Sequence, residues 1–313
     1  MSKIKTVFIV GPTASGKTSL SIEIAKKFGG EIISADSMQI YKGIHIASAA
    51  PDIEEMDGIT HHLLEFLGTD EQFSVVDYVI KARRCIDDIS SRGKLPIIVG
   101  GTGLYVNSLL DNTEFSENET DFELRNRLEK EFDQIGGEEM LKKLSVFDKE
   151  SADRLHPNNR RRIIRAFEVY MQTGTTITEH NDNSHLNETP FESLVIGITY
   201  DDREKLYERI NKRVDIMLKG GLLEEAKTTY DLDSKNGAFQ AIGHKELYGY
   251  FAGDLSFDEA VEHLKQQTRR YAKRQLTWFR RDDRINWVYP DKDSDVIKTS
   301  FDLVSDFLKE DKG

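Results

Sequence analysis

The chain has 313 residues, a formal net charge of −12 and a single cysteine, Cys85. That length supports one large core or two smaller ones, and the acidic balance counts against a nucleic-acid binder without excluding one, because only the field at the contact face matters. The lone cysteine excludes an intrachain disulfide and a multi-cysteine metal site, and no stretch approaches the ~18 apolar residues of a membrane span.

Thr6 to Val10 reads as a buried strand running into Gly11, Pro12, Thr13, Ala14, Ser15, Gly16, Lys17 and Thr18. This octet fits GxxxxGK followed by Ser or Thr, a loop whose backbone N–H groups and helix N-terminus face an anion. Lys17 offers a point charge to terminal phosphates, and Thr18 offers an oxygen to Mg²⁺. Thr18 to Phe28 then reads as a helix, with Leu20, Ile24 and Phe28 spaced by four. The opening MSKIKTVFIV leads straight into the loop and reads as strand, not as a leader. The expected compartment is the cytoplasm.

EIISAD, residues 31–36, reads as a second strand with Asp36 at its end. Asp36 is open to two readings: a cap for the following turn, or a general base or a ligand through metal-bound water. His61 and His62 are adjacent, point differently and read as structural or contact residues. Val75 to Ser91 reads as a helix with Val75, Val79, Ala82 and Ile86 on one face. KLPIIVGGTG, residues 94–103, is a third strand ending in glycines. Gly100 and Gly101 allow close backbone approach, and Thr102 can donate to a phosphate oxygen. Strands alternating with helices predict a parallel, helix-covered α/β sheet, in which ligands bind at strand carboxyl ends. The phosphate loop, the segment from Asp36 to Tyr41 and the Gly100–Thr102 turn all fall at such ends, which predicts one shared site.

DNTEFSENETD, residues 111–121, is a polar, acidic joint, and residues 122–173 read as helical with Gly174 as the stop. TEHNDNSHLNETP, residues 178–190, is a second joint, and SLVIGITY, 193–200, returns to strand. The expected organisation is an α/β core of residues 1–112 and 190–313 with an inserted helical domain of residues 113–189. The segment after that strand is mostly helical, with INWVYP as an edge-strand candidate.

The basic residues cluster. Arg154, Arg160, Arg161, Arg162 and Arg165 lie in the inserted block. In KQQTRRYAKRQLTWFRR, Arg270, Arg274 and Arg281 share one helical face with Lys273 on its flank, while Leu264, Tyr271, Gln275 and Trp278 share another. Two such clusters fit a polyanion better than two solvated faces.

GPTASGKT, DSMQIYKG, HHLLE, VGGTGLY, RRIIRAFEVYMQTG, RINKRVDIML and TRRYAKRQLTWFR follow one another in this order. In this the chain resembles the tRNA dimethylallyltransferases, also called tRNA isopentenyltransferases, from residue 5 to about residue 288. The resemblance implies a P-loop NTPase-like parallel sheet core with an inserted all-helical domain. It also implies transfer rather than phosphorylation. A dimethylallyl group passes from dimethylallyl diphosphate to N6 of adenosine 37 in the tRNA anticodon loop, with Mg²⁺ as cofactor.

By motif, residues 11–18 would hold the diphosphate, Asp36 would take the N6 proton and Thr102 would contact the diphosphate near the scissile oxygen. Asp36, Ser37, Met38 and Gln39 match the segment that receives the extruded adenine. Three stretches match tRNA-contacting positions: Arg161, Arg162, Ile163, Ile164 and Arg165; Gln240, Ala241, Ile242, Gly243, His244 and Lys245; and Arg125. The charged face with Arg270, Lys273 and Arg274 joins them as an RNA candidate. Arg209 and Arg213 stand where the family has a diphosphate-side arginine, and Arg213 is preferred. Two departures stand out. ASAAP, residues 47–51, replaces a GTAKP-like segment, with Ala50 in place of a lysine. GHKE replaces GYKE, which puts His244 at a stacking contact. A monomer without membrane attachment is expected. The rival readings are a small-molecule P-loop kinase with a helical lid, and a non-catalytic RNA-binding module.

Overall fold

The computed structural model describes residues 3–113, 121–179, 188–232 and 237–309. The chain divides into two compact units, residues 1–110 with 190–313, and residues 111–189.

The first unit is built on a six-stranded sheet in the order β3-β2-β4-β1-β5-β6. Its strands are β1 Ile4–Val10, β2 Gly30–Ser34, β3 His61–His62, β4 Leu95–Gly100, β5 Phe191–Ile198 and β6 Ile285–Val288. Every pairing is parallel. Continuous apolar runs such as VFIV and PIIV suit strands buried on both faces. Helices α1 (Lys17–Phe28), α2 (Val75–Ser91), α3 (Gly103–Leu110), α7 (Arg203–Lys219), α8 (Leu222–Tyr230), α9 (Phe257–Phe279) and α10 (Val296–Lys309) belong to this unit. Leu20 and Ile24 of α1 and Phe307 of α10 pack with Val7, Ile9, Ile32, Ile97 and Ile196. The intervening strand residues Phe8, Ile33 and Ile98 point to the other face and are fully buried. INWVYP supplies the edge strand β6. The opposite edge, β3, is only two residues long, too short to leave a periodic signal. The strand expected at residues 31–36 ends at Ser34 and leaves Asp36 in the turn beyond it.

At the amino end of the sheet, Glu31 is a buried acid. It accepts two hydrogen bonds from Arg92, at 2.6 and 2.7 Å, and one from Lys94 at 2.7 Å. His62 Nε2 lies 2.7 Å from its other oxygen, and His61 Nδ1 meets the carbonyl of Ile59 at 2.9 Å. Both histidines therefore have structural partners.

The second unit holds α4 (Phe122–Leu144), α5 (Lys149–Arg154) and α6 (Arg160–Thr173). Gly136 breaks α4 with φ 78° and ψ 167°. Gly174 ends α6 in the left-handed conformation, φ 73°, where a side chain would be strained. Leu124, Leu128, Met140, Leu144, Ile163, Ile164 and Phe167 form the unit's core. This corrects one expectation. Ile163 and Ile164 are core residues of α6, 0% and 4% exposed, and present no side chain to an RNA. Among the described residues, no helix is long and apolar enough to cross a membrane.

Candidate active site

The loop between β1 and α1 is shaped by close approach. A Cβ on Gly11 would lie 2.3 Å from the carbonyl oxygen of Ile198, and Gly16 has φ +104°. Ala14 takes φ 62°, an unusual conformation for a residue with a side chain. Two distant side chains fix the loop. Arg209 of α7 donates from Nε to the Ala14 carbonyl at 3.0 Å, with its guanidinium 5.2 Å from the Tyr200 ring centre. Gln275 of α9 accepts from the Thr13 N–H at 2.9 Å and donates to the Gly101 carbonyl at 3.0 Å. One buried amide thus joins the phosphate loop to the glycine turn after β4.

Lys17 donates from Nζ to the Pro12 carbonyl at 2.7 Å. Burial pulls its pKa down to about 8. The Asp36 carboxylate acts against that shift and the Arg213 guanidinium adds to it. Burial likewise lowers the pKa of Arg213, with Glu55 and Asp36 opposing and Arg209 reinforcing. Lys17, Asp36 and Arg213 therefore share one electrostatic environment, reached from β1, β2 and α7. The two candidate arginines differ in the structure: Arg209 braces the loop backbone, and Arg213 adds its charge to the surroundings of Lys17 and Asp36.

Asp36 Oδ1 accepts from the Met38 N–H at 2.9 Å, which is the turn-capping arrangement. A carboxylate has two oxygens and about four acceptor sites, so the cap leaves room for a second partner. Thr102 sits beside it: its Oγ1 accepts from the Ser37 N–H at 3.0 Å, and its N–H donates to the Ala35 carbonyl at 3.2 Å. The glycines around Thr102 are required by contact. A Cβ on Gly100 would lie 2.1 Å from the Ala35 oxygen, one on Gly101 would lie 2.1 Å from Gln275 Nε2, and one on Gly103 would lie 2.3 Å from the Trp278 ring.

Two tyrosines complete the surroundings. Burial raises the Tyr271 phenol well above its usual range. The Asp36 charge adds to this, and hydrogen bonds from Thr102 and Gln275 oppose it. Tyr105 is raised for the same first reason, with Tyr41 and Asp36 contributing. Tyr105 stacks on Tyr78 at 4.0 Å and 9°. Tyr271 and Gln275 lie on the stripe of α9 expected to pack. They do pack, and they pack against the site. A buried glutamine among apolar helix positions is the one signal that marked them.

The expected RNA-facing residues separate into exposed and enclosed ones. Arg161, Arg162, Arg165, Arg270, Lys273, Arg274, Gln240 and Lys245 are exposed. Ala241, Gly243 and His244 are buried, and Ile242 packs against an apolar cluster, which corrects their assignment as side-chain contacts. His244 is not at a stacking surface. Its Nε2 meets Glu225 Oε1 at 2.9 Å, and its Nδ1 meets Thr229 Oγ1 at 3.0 Å. Arg125 is committed to Glu168 through two bonds of 2.6 and 2.9 Å. Ala50, which stands where the family has a lysine, is 5% exposed. Among the described residues, no group of three or more His, Cys, Asp or Glu could hold a metal ion.

Comparison with known proteins points to one family. The family profile described as IPP transferase matches residues 39–282. A tRNA dimethylallyltransferase of Acetivibrio thermocellus is 51% identical over 295 residues, 93% of this chain and 94% of the relative. That of Bacillus subtilis is 47% identical over 287 residues, 91% of each chain. Among solved structures, a full-length tRNA isopentenylpyrophosphate transferase from Bacillus halodurans is 42% identical, covers 98% of both chains and superposes with a TM-score of 0.74. A eukaryotic dimethylallyltransferase acting on tRNA is 30% identical, with a TM-score of 0.84 over 98% of this chain and 80% of its own. With a profile match over most of its length and a parallel sheet that carries the phosphate loop, Asp36 and Thr102 at neighbouring strand ends, the chain belongs to the IPP transferase family.

Proposed function

We propose that the protein transfers the dimethylallyl group of dimethylallyl diphosphate to N6 of adenosine 37 in a tRNA anticodon loop and releases diphosphate. The observation that carries the reading is the position of Asp36. Its carboxylate acts on Lys17 and Arg213 and also on Tyr271 and Tyr105, and it caps the turn beside Thr102. A proton acceptor is therefore within charge range of the loop lysine, a buried arginine and two tyrosines.

The chemistry follows from that placement. Breaking the allylic C–O bond leaves a stabilised carbocation and builds negative charge on the diphosphate. The N–H groups of residues 14–18, Lys17 and Arg213 would stabilise that charge. Thr102 would donate near the scissile oxygen. The N6 amine forms the new C–N bond, and its proton passes to Asp36. An adenine stacked in a loop must be extruded to reach the site. Mg²⁺ fits the donor set. The site lacks a carboxylate cage, so the ion would be held by Thr18 and mainly by phosphate oxygens, the usual arrangement for Mg²⁺. When bound, it supplies further neutralisation of the diphosphate. Arg161, Arg162 and Arg165 in one unit and Arg270, Lys273 and Arg274 in the other are the proposed phosphate-backbone contacts. The proposed working form is a single chain in the cytoplasm.

The test is incubation with Mg²⁺, dimethylallyl diphosphate and unmodified tRNA, followed by digestion and mass analysis. A gain of one dimethylallyl unit on adenosine 37 is expected. No gain, or ATP turnover with a small acceptor in its place, would overturn the reading.

A further inference from the structure

A buried polar chain runs from α8 to the segment that carries Asp36. His244 is fully enclosed, and a carboxylate can only accept, so the hydrogen between His244 and Glu225 sits on Nε2. Thr229 holds the other ring nitrogen and itself receives the Tyr248 hydroxyl at 3.1 Å. The ring and carboxylate of this pair are thereby fixed in orientation. Glu225 then spends both oxygens on backbone. Oε2 accepts from the Ile46 N–H at 2.8 Å, and Oε1 accepts from the Ala47 N–H at 2.9 Å. These two groups begin the single helical turn His45–Ser48, and acidic capping of that kind holds such a short turn in place.

The turn passes the constraint on. Its end residue, Ala49, offers its carbonyl to Gln39 Nε2 at 3.1 Å, and Gln39 Oε1 accepts from Ser34 Oγ at 2.8 Å. A carbonyl accepts and cannot donate, so the Gln39 amide has one allowed orientation. Gln39 closes the four-residue segment that opens with Asp36, and Ser34 ends the strand that carries it. Apolar packing runs in parallel. Ala47 touches both the cluster around Leu222, Ala226 and Leu247 and the cluster around Ile40 and Tyr41.

We infer that Glu225, oriented by His244 and Thr229, is a positioning residue for the transfer reaction: it sets the Asp36–Gln39 segment through the His45–Ala49 turn. The inference rests on the transferase reading above. It explains why a histidine, and not an exposed aromatic ring, occupies residue 244. Among the described residues, the pair's hydrogen bonds do not reach residues 11–18, so its effect falls on placement of the acceptor base and not on binding of the donor.

The test uses the full-length protein with Mg²⁺ and an anticodon stem-loop RNA, well below the unfolding temperature. Glu225→Gln keeps volume and one acceptor but turns an amide N–H toward a backbone N–H. It should lower kcat roughly tenfold to a hundredfold while KM for dimethylallyl diphosphate stays within about twofold, as a displacement of about 1 Å in a reacting group does. His244→Ala should act in the same direction and add nothing in the Glu225→Gln background. A stem-loop with 2-aminopurine at position 37 should bind with unchanged affinity and show a smaller rise in fluorescence in both variants. Wild-type kcat and fluorescence in Glu225→Gln would overturn the positioning role, as would an equal loss of donor affinity. If Glu225→Gln does not fold, the same readouts on His244→Ala decide. Failure of the unaltered protein to modify the RNA would instead remove the transferase reading itself.

Discussion

Lys17 reaches back five residues to the carbonyl of Pro12, at 2.7 Å, within the loop that carries both. Its ammonium is thus preplaced over the loop, desolvated enough that its pKa falls to about 8. On the proposed reading, the protonated form is the one that would hold the diphosphate. The free protein therefore loses it as pH rises through 8, and kcat/KM for the donor should fall about tenfold per pH unit above that point. Lys17→Arg keeps its charge at any accessible pH, so its residual activity should lack this fall. A pH–rate profile of both proteins checks it.

Asp36 caps its turn and is the proposed proton acceptor, and the two tasks can be separated. Asp36→Asn keeps an oxygen for the Met38 N–H but cannot take a proton. It should lower kcat by roughly 10²–10⁴ with little change in thermal stability or in donor KM. Asp36→Ala removes the turn cap as well and should cost a further ~1 kcal/mol in unfolding free energy. Single-turnover kinetics and urea unfolding distinguish the two.

Gln275 has both ends of its amide engaged, at Thr13 and at Gly101. Gln275→Ala should destabilise the protein by about 1–3 kcal/mol, because a loop N–H and a turn carbonyl lose their partners. It should also raise donor KM. Gln275→Glu should be worse, since a carboxylate oxygen would face the Gly101 carbonyl. Urea melts and donor titrations measure both effects.

At the far end of the sheet, hydrogen bonds from Arg92, with Lys94 and His62 adding to them against the cost of burial, hold the Glu31 carboxyl well below the usual carboxylate range. Its folded pKa is lower than its unfolded value near 4.3. The stabilisation is therefore complete above about pH 5 and is lost as pH falls toward the folded value. Glu31→Gln should cost about 1–2 kcal/mol at pH 7, discounted because Arg92 and Lys94 are partly exposed. The gap to the unaltered protein should narrow below pH 4. Thermal unfolding from pH 3 to 7 tests it.

The arginines of the helical unit predict opposite phenotypes. Arg161 and Arg162 have no ion pair among the described residues, whereas Arg125 compensates the buried Glu168. Replacing Arg161 or Arg162 with Ala should reduce the slope of log affinity for tRNA against log salt by roughly 0.7–0.9 and leave stability unchanged. Arg125→Ala should destabilise the unit by about 2 kcal/mol or more, because Glu168 stays buried and, among the described residues, keeps Arg165 alone as an ion-pair partner, at 3.5 Å. Salt titrations and thermal melts separate the two classes.

The parts of the site that lay open in the sequence are those whose chemistry is local. Gly11 to Thr18 announces itself by glycine spacing. Asp36 and Thr102 announce themselves by standing where an apolar run stops. Gln275 and Glu225 do not, because each works through partners far away in the chain: 262 residues to Thr13 for Gln275, and 179 to Ile46 for Glu225. On a helix stripe such residues look like imperfect packing positions. Exposure was also hidden. Arg161 to Arg165 read as one basic stretch, yet helical geometry turns Ile163 and Ile164 inward and Arg161, Arg162 and Arg165 outward. In the 240–245 stretch no period exists to show which side chains the fold encloses.

β1 lies between β4 and β5, and β5 comes after the whole inserted unit. On the ribosome, then, β1 can pair with β4 but must wait for residues 111–190 before its second edge is covered. At roughly 5–20 residues per second, that edge stays open for on the order of 4–16 s. An unpaired apolar strand is an aggregation hazard for as long as it lasts. The helical unit is made during that interval and closes its own core around Leu128 and Ile163. Slowing translation within residues 111–190 should therefore lower the yield of native protein more than slowing it after residue 200, and chaperone dependence should track the same window.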